Sequence, residues 1–127
     1  MAAAPHREVF EMLKIDGQSI YLTRGDTAEI STTATLDTGD PYEFEDGDIV
    51  YFRMAIKPGQ DIALEKQCTV DVENNKAVLY LDPEDTMDMK FKVYRYEFEL
   101  ICAEDGGHYT YIVDQPFEIG KEIERYE

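Results

Sequence analysis

Lys92 to Glu104 reads KVYRYEFELICAE, and its side chains divide by parity: Tyr94, Tyr96, Phe98, Leu100 and Cys102 on one side, Arg95, Glu97 and Glu99 on the other. Successive side chains of a strand point to opposite faces, so this alternation predicts a long strand with one buried and one solvated face. Asp105-Gly106-Gly107 follows at once, and two glycines accept the positive φ that a tight hairpin needs. Tyr109 to Val113 is therefore expected to pair back on it, and a last strand is expected to include Pro116, Phe117, Glu118 and Ile119.

The same period extends upstream. Ala28, Ile30, Ala34 and Leu36 share one face of Thr27 to Leu36. In IVYFRMAI, from Ile49 to Ile56, residues Val50, Phe52, Met54 and Ile56 fall on one side and Tyr51, Arg53 and Ala55 on the other, as in a central strand. Leu64, Cys68, Val70 and Val72 alternate with polar residues, and Glu73-Asn74-Asn75 then tolerates a left-handed turn before Ala77, Leu79 and Leu81 return. Met12 to Ile15 and Ile20 to Thr23 flank Asp16-Gly17 as another expected hairpin. Helical signals are confined to a turn at Glu8 to Leu13 and to Pro83-Glu84-Asp85-Thr86, where proline suits a first helical position. Seven to nine short strands with turns every eight to twelve residues or so predict an all-β fold, an antiparallel β-sandwich. The expected organisation is an N-terminal arm over residues 1–11, the sandwich over 12–120 and an acidic tail over 121–127.

Composition sets limits on function. The chain has 127 residues with 12 Lys and Arg against 28 Asp and Glu, a formal charge of −16. That length supports one domain without staples. The acid excess repels phosphate backbones and anionic lipid, so neither nucleic acid nor membrane is an expected partner. The start lacks the basic-then-apolar order of a secretion signal, and the expectation is a protein that is not exported. Cys68 and Cys102 show no metal-finger spacing and are expected as buried thiols.

Three motifs stand together in this frame. Leu22-Thr-Arg-Gly-Asp-Thr27 ends a strand at a corner, Tyr42-Glu-Phe-Glu-Asp-Gly-Asp48 approaches the central strand, and Leu79-x-Leu-x-Pro-Glu-Asp-Thr86 forms an acidic one-turn connector before the Tyr-bearing strand at Tyr94. The connector resembles the crossing between sheets of immunoglobulin-like domains, although the Cys-Trp-Cys core is absent. Over about Ile15 to Ile119 the chain resembles the immunoglobulin-like N-terminal domain of phage baseplate upper proteins and related small prophage virion proteins. The resemblance implies a structural, non-enzymatic component of a tailed-phage or prophage particle, located in the virion and assembled in the bacterial host cytoplasm. It implies contacts with other virion proteins in multiple copies or as a homo-oligomer, and no catalytic residues. The family's long C-terminal extension is missing here, which points to a tail or baseplate accessory, adaptor or head-decoration role rather than to anchoring of a receptor-binding protein.

The remaining constellations are weighed against simpler readings. Arg24-Gly25-Asp26 matches an integrin-binding tripeptide but abuts apolar strands on both sides, and is read as a corner. Asp37, Asp40, Glu43, Glu45, Asp46 and Asp48 carry enough hard oxygens for Ca²⁺, yet their spacing fits no calcium loop. A solvated acidic loop and no cofactor are expected, with this 37–48 loop the one place for Ca²⁺. His6 lies in the arm and His108 beside a hairpin tip, Ser19 and Ser31 lack a nucleophile elbow, and inward thiols are inert, so no enzyme is expected. Val9, Phe10, Met12 and Leu13 are apolar in the arm and are the expected assembly residues, either reaching a neighbouring subunit or folding back on their own domain. Tyr109 and Tyr111, on a hairpin read as an edge, are the expected exposed binding face, which supports the alternative function of a glycan-binding module for host-surface carbohydrate. The absence of Trp counts against that alternative.

Overall fold

β-branched and aromatic residues on alternate positions form strands only when a second layer covers the apolar side, and the computed structural model shows how that cover is arranged. It describes residues 19–36, 38–57, 59–90 and 92–121. The strands are β1 (Ile20–Thr23), β2 (Ala28–Thr32), β3 (Ile49–Ala55), β4 (Ile62–Gln67), β5 (Thr69–Asp71), β6 (Lys76–Leu81), β7 (Lys92–Ile101) and β8 (His108–Gly120), with one helical turn, α1 (Pro83–Thr86), between β6 and β7. One sheet has the order β1-β8-β7-β3-β4 and the other β2-β6-β5. The chain is thus an all-β sandwich, in which hairpins alternate with crossings between the layers from β3 onward.

The two layers contribute different chemistry to the core. The five-stranded sheet supplies aromatic rings: Phe52 lies 5.2 Å from Phe98 and 5.8 Å from Phe117, Tyr96 is 5.9 Å from Phe117, and Phe98 is 6.1 Å from Tyr111, all as ring-centroid distances. Such tilted and edge-on pairs suit the ring quadrupoles. The three-stranded sheet answers with aliphatic residues, of which Ala77, Leu79 and Leu81 are buried and Ile30 and Val70 pack against them. The hydroxyls of Thr32 and Tyr111, 2.6 Å apart, join the layers through the core.

The end of the sandwich that holds α1 is fixed by polar contacts. Pro83 occupies the first turn, and the Asp85 carboxylate accepts the Asp82 N–H at 2.7 Å. The fully buried Thr86 hydroxyl accepts the Gly25 N–H at 2.8 Å, which fastens the β1–β2 corner to the connector. Tyr94, at the start of β7, both donates to the Lys90 carbonyl and accepts the Lys90 N–H, each at 3.1 Å. The geometry is that of a tyrosine corner, a hydroxyl bonded back to the backbone a few residues upstream.

Four local expectations are corrected. The alternating run from Leu64 to Val72 is two strands: β4 pairs with β3, whereas β5 pairs with β6 in the other sheet. Cys68 is the pivot, its N–H still donating to the Val50 carbonyl at 2.8 Å, and a change of layer leaves the two-residue period intact, so parity cannot register it. Residues Tyr109–Val113 and Pro116–Ile119 belong to one strand, β8. Between its pairings with Tyr96, Phe98 and Glu99, β8 runs through Gln115, Ile112 and Thr110, so it inserts an extra residue at two places and bends, with Asp114 at φ 53°. Ile56 lies past the end of β3 and is exposed. Finally, β1 runs parallel to β8, Ile20 opposite Phe117 and Thr23 opposite Gly120, so the sheet is not wholly antiparallel. Met12 to Ile15, the expected hairpin partner of β1, lie outside the described residues, as do the expected turn at Glu8 to Leu13 and residues 122–127 of the tail.

Because Phe98 touches both Phe52 and Tyr111 with no exposed surface, Phe98→Ala should lower the unfolding free energy by about 3–5 kcal/mol. Tyr94→Phe should lower it by about 1 kcal/mol. Urea unfolding checks both, and an effect of Phe98→Ala smaller than that of Tyr94→Phe would contradict this core.

Candidate functional site

The outward face of the five-stranded sheet carries the polar parity of β3, β4 and β7. Register brings Arg53 opposite Glu65 on one side and Glu97 on the other. Its guanidinium donates to Glu65 at 2.6 Å, to Glu99 at 2.7 Å and to Glu97 at 3.3 Å, and it lies 5.2 Å from the centroid of the Tyr51 ring. His108, from β8, adds an Nδ1 contact of 3.0 Å to Glu99. One guanidinium on β3 therefore serves three carboxylates from the two strands beside it, β4 and β7. Burial alone would raise the Glu99 carboxyl, but Arg53 and then His108 outweigh it and hold Glu99 below the ordinary value near 4.5. Hydrogen bonding to Glu65 and Glu99 in turn raises Arg53 against the opposing effect of its burial.

Next to this network the bend in β8 opens a cleft of about 360 Å³ between the β3–β4 turn and the β8 bulge. Ala55, Ile62, Tyr96 and Val113 give it apolar walls, and Arg53 and Arg95 border it. Ile62 and Val113 are each 52% exposed. Arg95 is held over the bulge by Asp114, donating to its carboxylate and to its carbonyl oxygen, both at 2.7 Å. A second exposed apolar set crosses the same face further along: Tyr21 and Val93 both stand opposite Glu118, from β1 and β7.

The expected site residues are distributed differently. Tyr109 and Tyr111 are corrected from exposed to buried, at 9% and 0% exposure. Tyr109 pairs with the inward Leu100, and its hydroxyl donates to Asp105 at 2.7 Å, with the ring covering Gly107 so closely that a Cβ there would collide. Tyr111 sits at one of the extra residues of β8 and turns inward beside Ile112. The reason is parity: Tyr109 stands opposite the inward Leu100 and the extra residue at Tyr111 turns its ring inward, although β1 flanks β8 only from Phe117 to Gly120. Arg24, Gly25 and Asp26 form a corner, with Gly25 at φ 85°, the Arg24 N–H on the Gly120 carbonyl at 2.9 Å and the Asp26 N–H on the Thr23 carbonyl at 3.1 Å. Val9, Phe10, Met12 and Leu13 lie outside the described residues, and so does Asp37 of the acidic loop.

Within that loop, Asp48 is a structural residue that composition disguised. It is 6% exposed, and its carboxylate accepts the Tyr42 hydroxyl at 2.9 Å, the Glu45 N–H at 2.8 Å and the Ala103 N–H at 2.8 Å. Burial, reinforced by hydrogen bonds to Cys102 and Asp48, raises the Tyr42 hydroxyl above its ordinary range. Asp40, Glu43, Glu45 and Asp46 face solvent. Among the described residues, no group of three or more His, Cys, Asp or Glu is placed to hold a metal ion. Both cysteines are buried and not joined to each other, and burial pushes the Cys68 thiol up to about 12, which suppresses thiolate chemistry.

No protein-family model matches the chain, and no curated protein matches it at a significant level.

Two outcomes follow. Asp48→Ala should cost about 2–4 kcal/mol, since three donors lose a charged acceptor, as read by chemical denaturation. For Glu99, a depressed carboxyl adds stability that is fully present above the unfolded value near 4.5 and is lost as pH falls through the folded value. The urea midpoint should therefore hold from neutral pH to that point and then decline. Arg53→Met should be less stable at pH 7 and decline less on acidification, and parallel curves for the two proteins would refute the network.

Proposed function

We propose that this chain is a structural, non-enzymatic component of a tailed-phage or prophage particle that works through protein–protein contacts. The observation that carries the reading is the outward face of the five-stranded sheet, where Ile62 and Val113 stay exposed around an apolar cleft and Tyr21 and Val93 stay exposed further along. Apolar groups grouped on one face of an otherwise strongly charged domain are the usual mark of a contact surface. The motifs behind the family resemblance support it by their position. Gly25 of the corner and Thr86 of the connector are joined by a hydrogen bond, and Asp48 closes the third motif, so the quoted residues shape the ends of a rigid module.

The mechanism is additive. A stiff sandwich offers the same patches from every copy, and weak contacts repeated at fixed symmetry sum to a stable assembly. Both arginines of the outward face are engaged, Arg53 with its three glutamates and Arg95 with Asp114, which suits a surface that positions rather than reacts. The glycan-binding alternative rested on Tyr109 and Tyr111, and both are inside the fold.

The test is made in the bacterium that carries the gene. Particles purified on a density gradient should contain the chain at a fixed ratio to the other structural proteins, by mass spectrometry, and deletion of its gene should reduce intact or infectious particles. Intact particles without the chain, together with its recovery only in the unassembled fraction, would end the proposal.

A further inference from the structure

We propose that the open edge of β4, Ile62–Gln67, receives an extended segment of a partner protein that places an apolar side chain beside Ile62 and a lysine or arginine opposite Glu65. This rests on the reading of the chain as a protein-contact module and names the chemistry of what it contacts.

Among the described residues, four strands lie at sheet ends, β1 and β4 in one sheet and β2 and β5 in the other. With six residues, β4 is the longest of them, against four, five and three in β1, β2 and β5. A strand at an edge keeps a row of backbone donors and acceptors directed outward, and proteins usually blunt such rows with proline, bulges or charge. β4 contains no proline, and its irregularity lies only at the Ile62 end. Its one cation, Lys66, is drawn away to Asp85 on α1 at 2.7 Å. What remains along the edge is Ile62, Ala63, Leu64 and Glu65 with a backbone that can still pair.

The side chains beside that edge define the occupant. An added strand would lie about 4.8 Å outside β4, so one of its side chains would stand directly across from Glu65. Glu65 already shares Arg53 with Glu97 and Glu99, so a second cation meets an excess of carboxylate and an acidic residue meets repulsion. At the other end of the edge, Ile62 forms the rim of the cleft with Val113, where an apolar side chain removes exposed surface from water. The net charge of −16 draws a basic segment toward the whole domain and discourages acidic competitors. Backbone pairing supplies adhesion here and the flanking side chains supply selectivity.

The test uses the full chain, labelled with ¹⁵N, and a short synthetic peptide in which lysine alternates with valine. Amide shifts should concentrate on Ile62–Gln67, with slowed hydrogen exchange there. A glutamate–valine counterpart should bind about tenfold more weakly or worse. So should a peptide of equal charge with proline in place of alternate valines, because proline cannot extend a ladder. Ile62→Lys, at an exposed position that leaves the fold intact by circular dichroism, should abolish the shifts. Equal binding by the proline-bearing peptide, shifts mapped to other strands, or no shifts would overturn the proposal. If Ile62→Lys loses the peptide yet still enters particles normally, β4 is not the assembly contact and this inference fails while the assembly reading stands. Absence from particles with peptide binding retained at β4 would instead remove that reading alone.

Discussion

Everything in the sandwich hangs on the inner face of β7, where Tyr94, Tyr96, Phe98 and Leu100 must all be covered at once. A strand flanked on both sides cannot bury four large residues without neighbours of matching parity, and β3 and β8 provide them through Phe52 and Phe117. Aromatic rings fill the half of the core nearer this sheet, so the opposing layer needs only three strands and short aliphatic side chains to close it. That asymmetry accounts for a narrow second sheet in a domain without tryptophan.

The opposite face of the same strands is governed by charge. The acid excess of the chain has to reside on the surface, and on the outer side of β3, β4 and β7 it is concentrated into three glutamates around one arginine. The more exposed pairs, of Arg53 with Glu65 and Glu97, contribute little net stability beside the more buried pair with Glu99, but together they fix side-chain positions and leave a local excess of negative charge. The bend of β8 interrupts this polar face with a cleft, which Ile62 and Val113 border as exposed aliphatic residues.

Much of this was legible in the residues themselves. Parity named the inward set of β3 and β7, and Asp105-Gly106-Gly107 and Asn74-Asn75 placed two hairpins where they occur. The misses share a physical origin, since local periodicity carries no information on which strand lies alongside which. Cys68 looks the same to a period-two reading whether the chain stays in its sheet or leaves it. Tyr109 and Tyr111 were assigned outward because a hairpin can present either parity, and the register with β7 that turns them inward is not written in the local sequence. Asp48 vanished among its acidic neighbours, although Gly47, at φ 94°, and the tyrosine six residues earlier were the available signs of a closed loop. The Arg53 cluster was visible as polar parity on β3 and β7, but its partners depend on register, which no single stretch of chain reveals.

The parallel pairing of β1 with β8 has a mechanical corollary. The described chain enters at the head of β1 and leaves at the foot of β8, and the two strands point the same way. Tension drawn through residues 19 and 121 would slide these strands past each other along their length, loading the ladder and the Arg24–Gly120 bond together instead of peeling them apart one at a time. Under such a pull the terminal ladder yields only when its bonds break as a group, so the sequence order of the two end strands sets the direction in which the domain is stiffest.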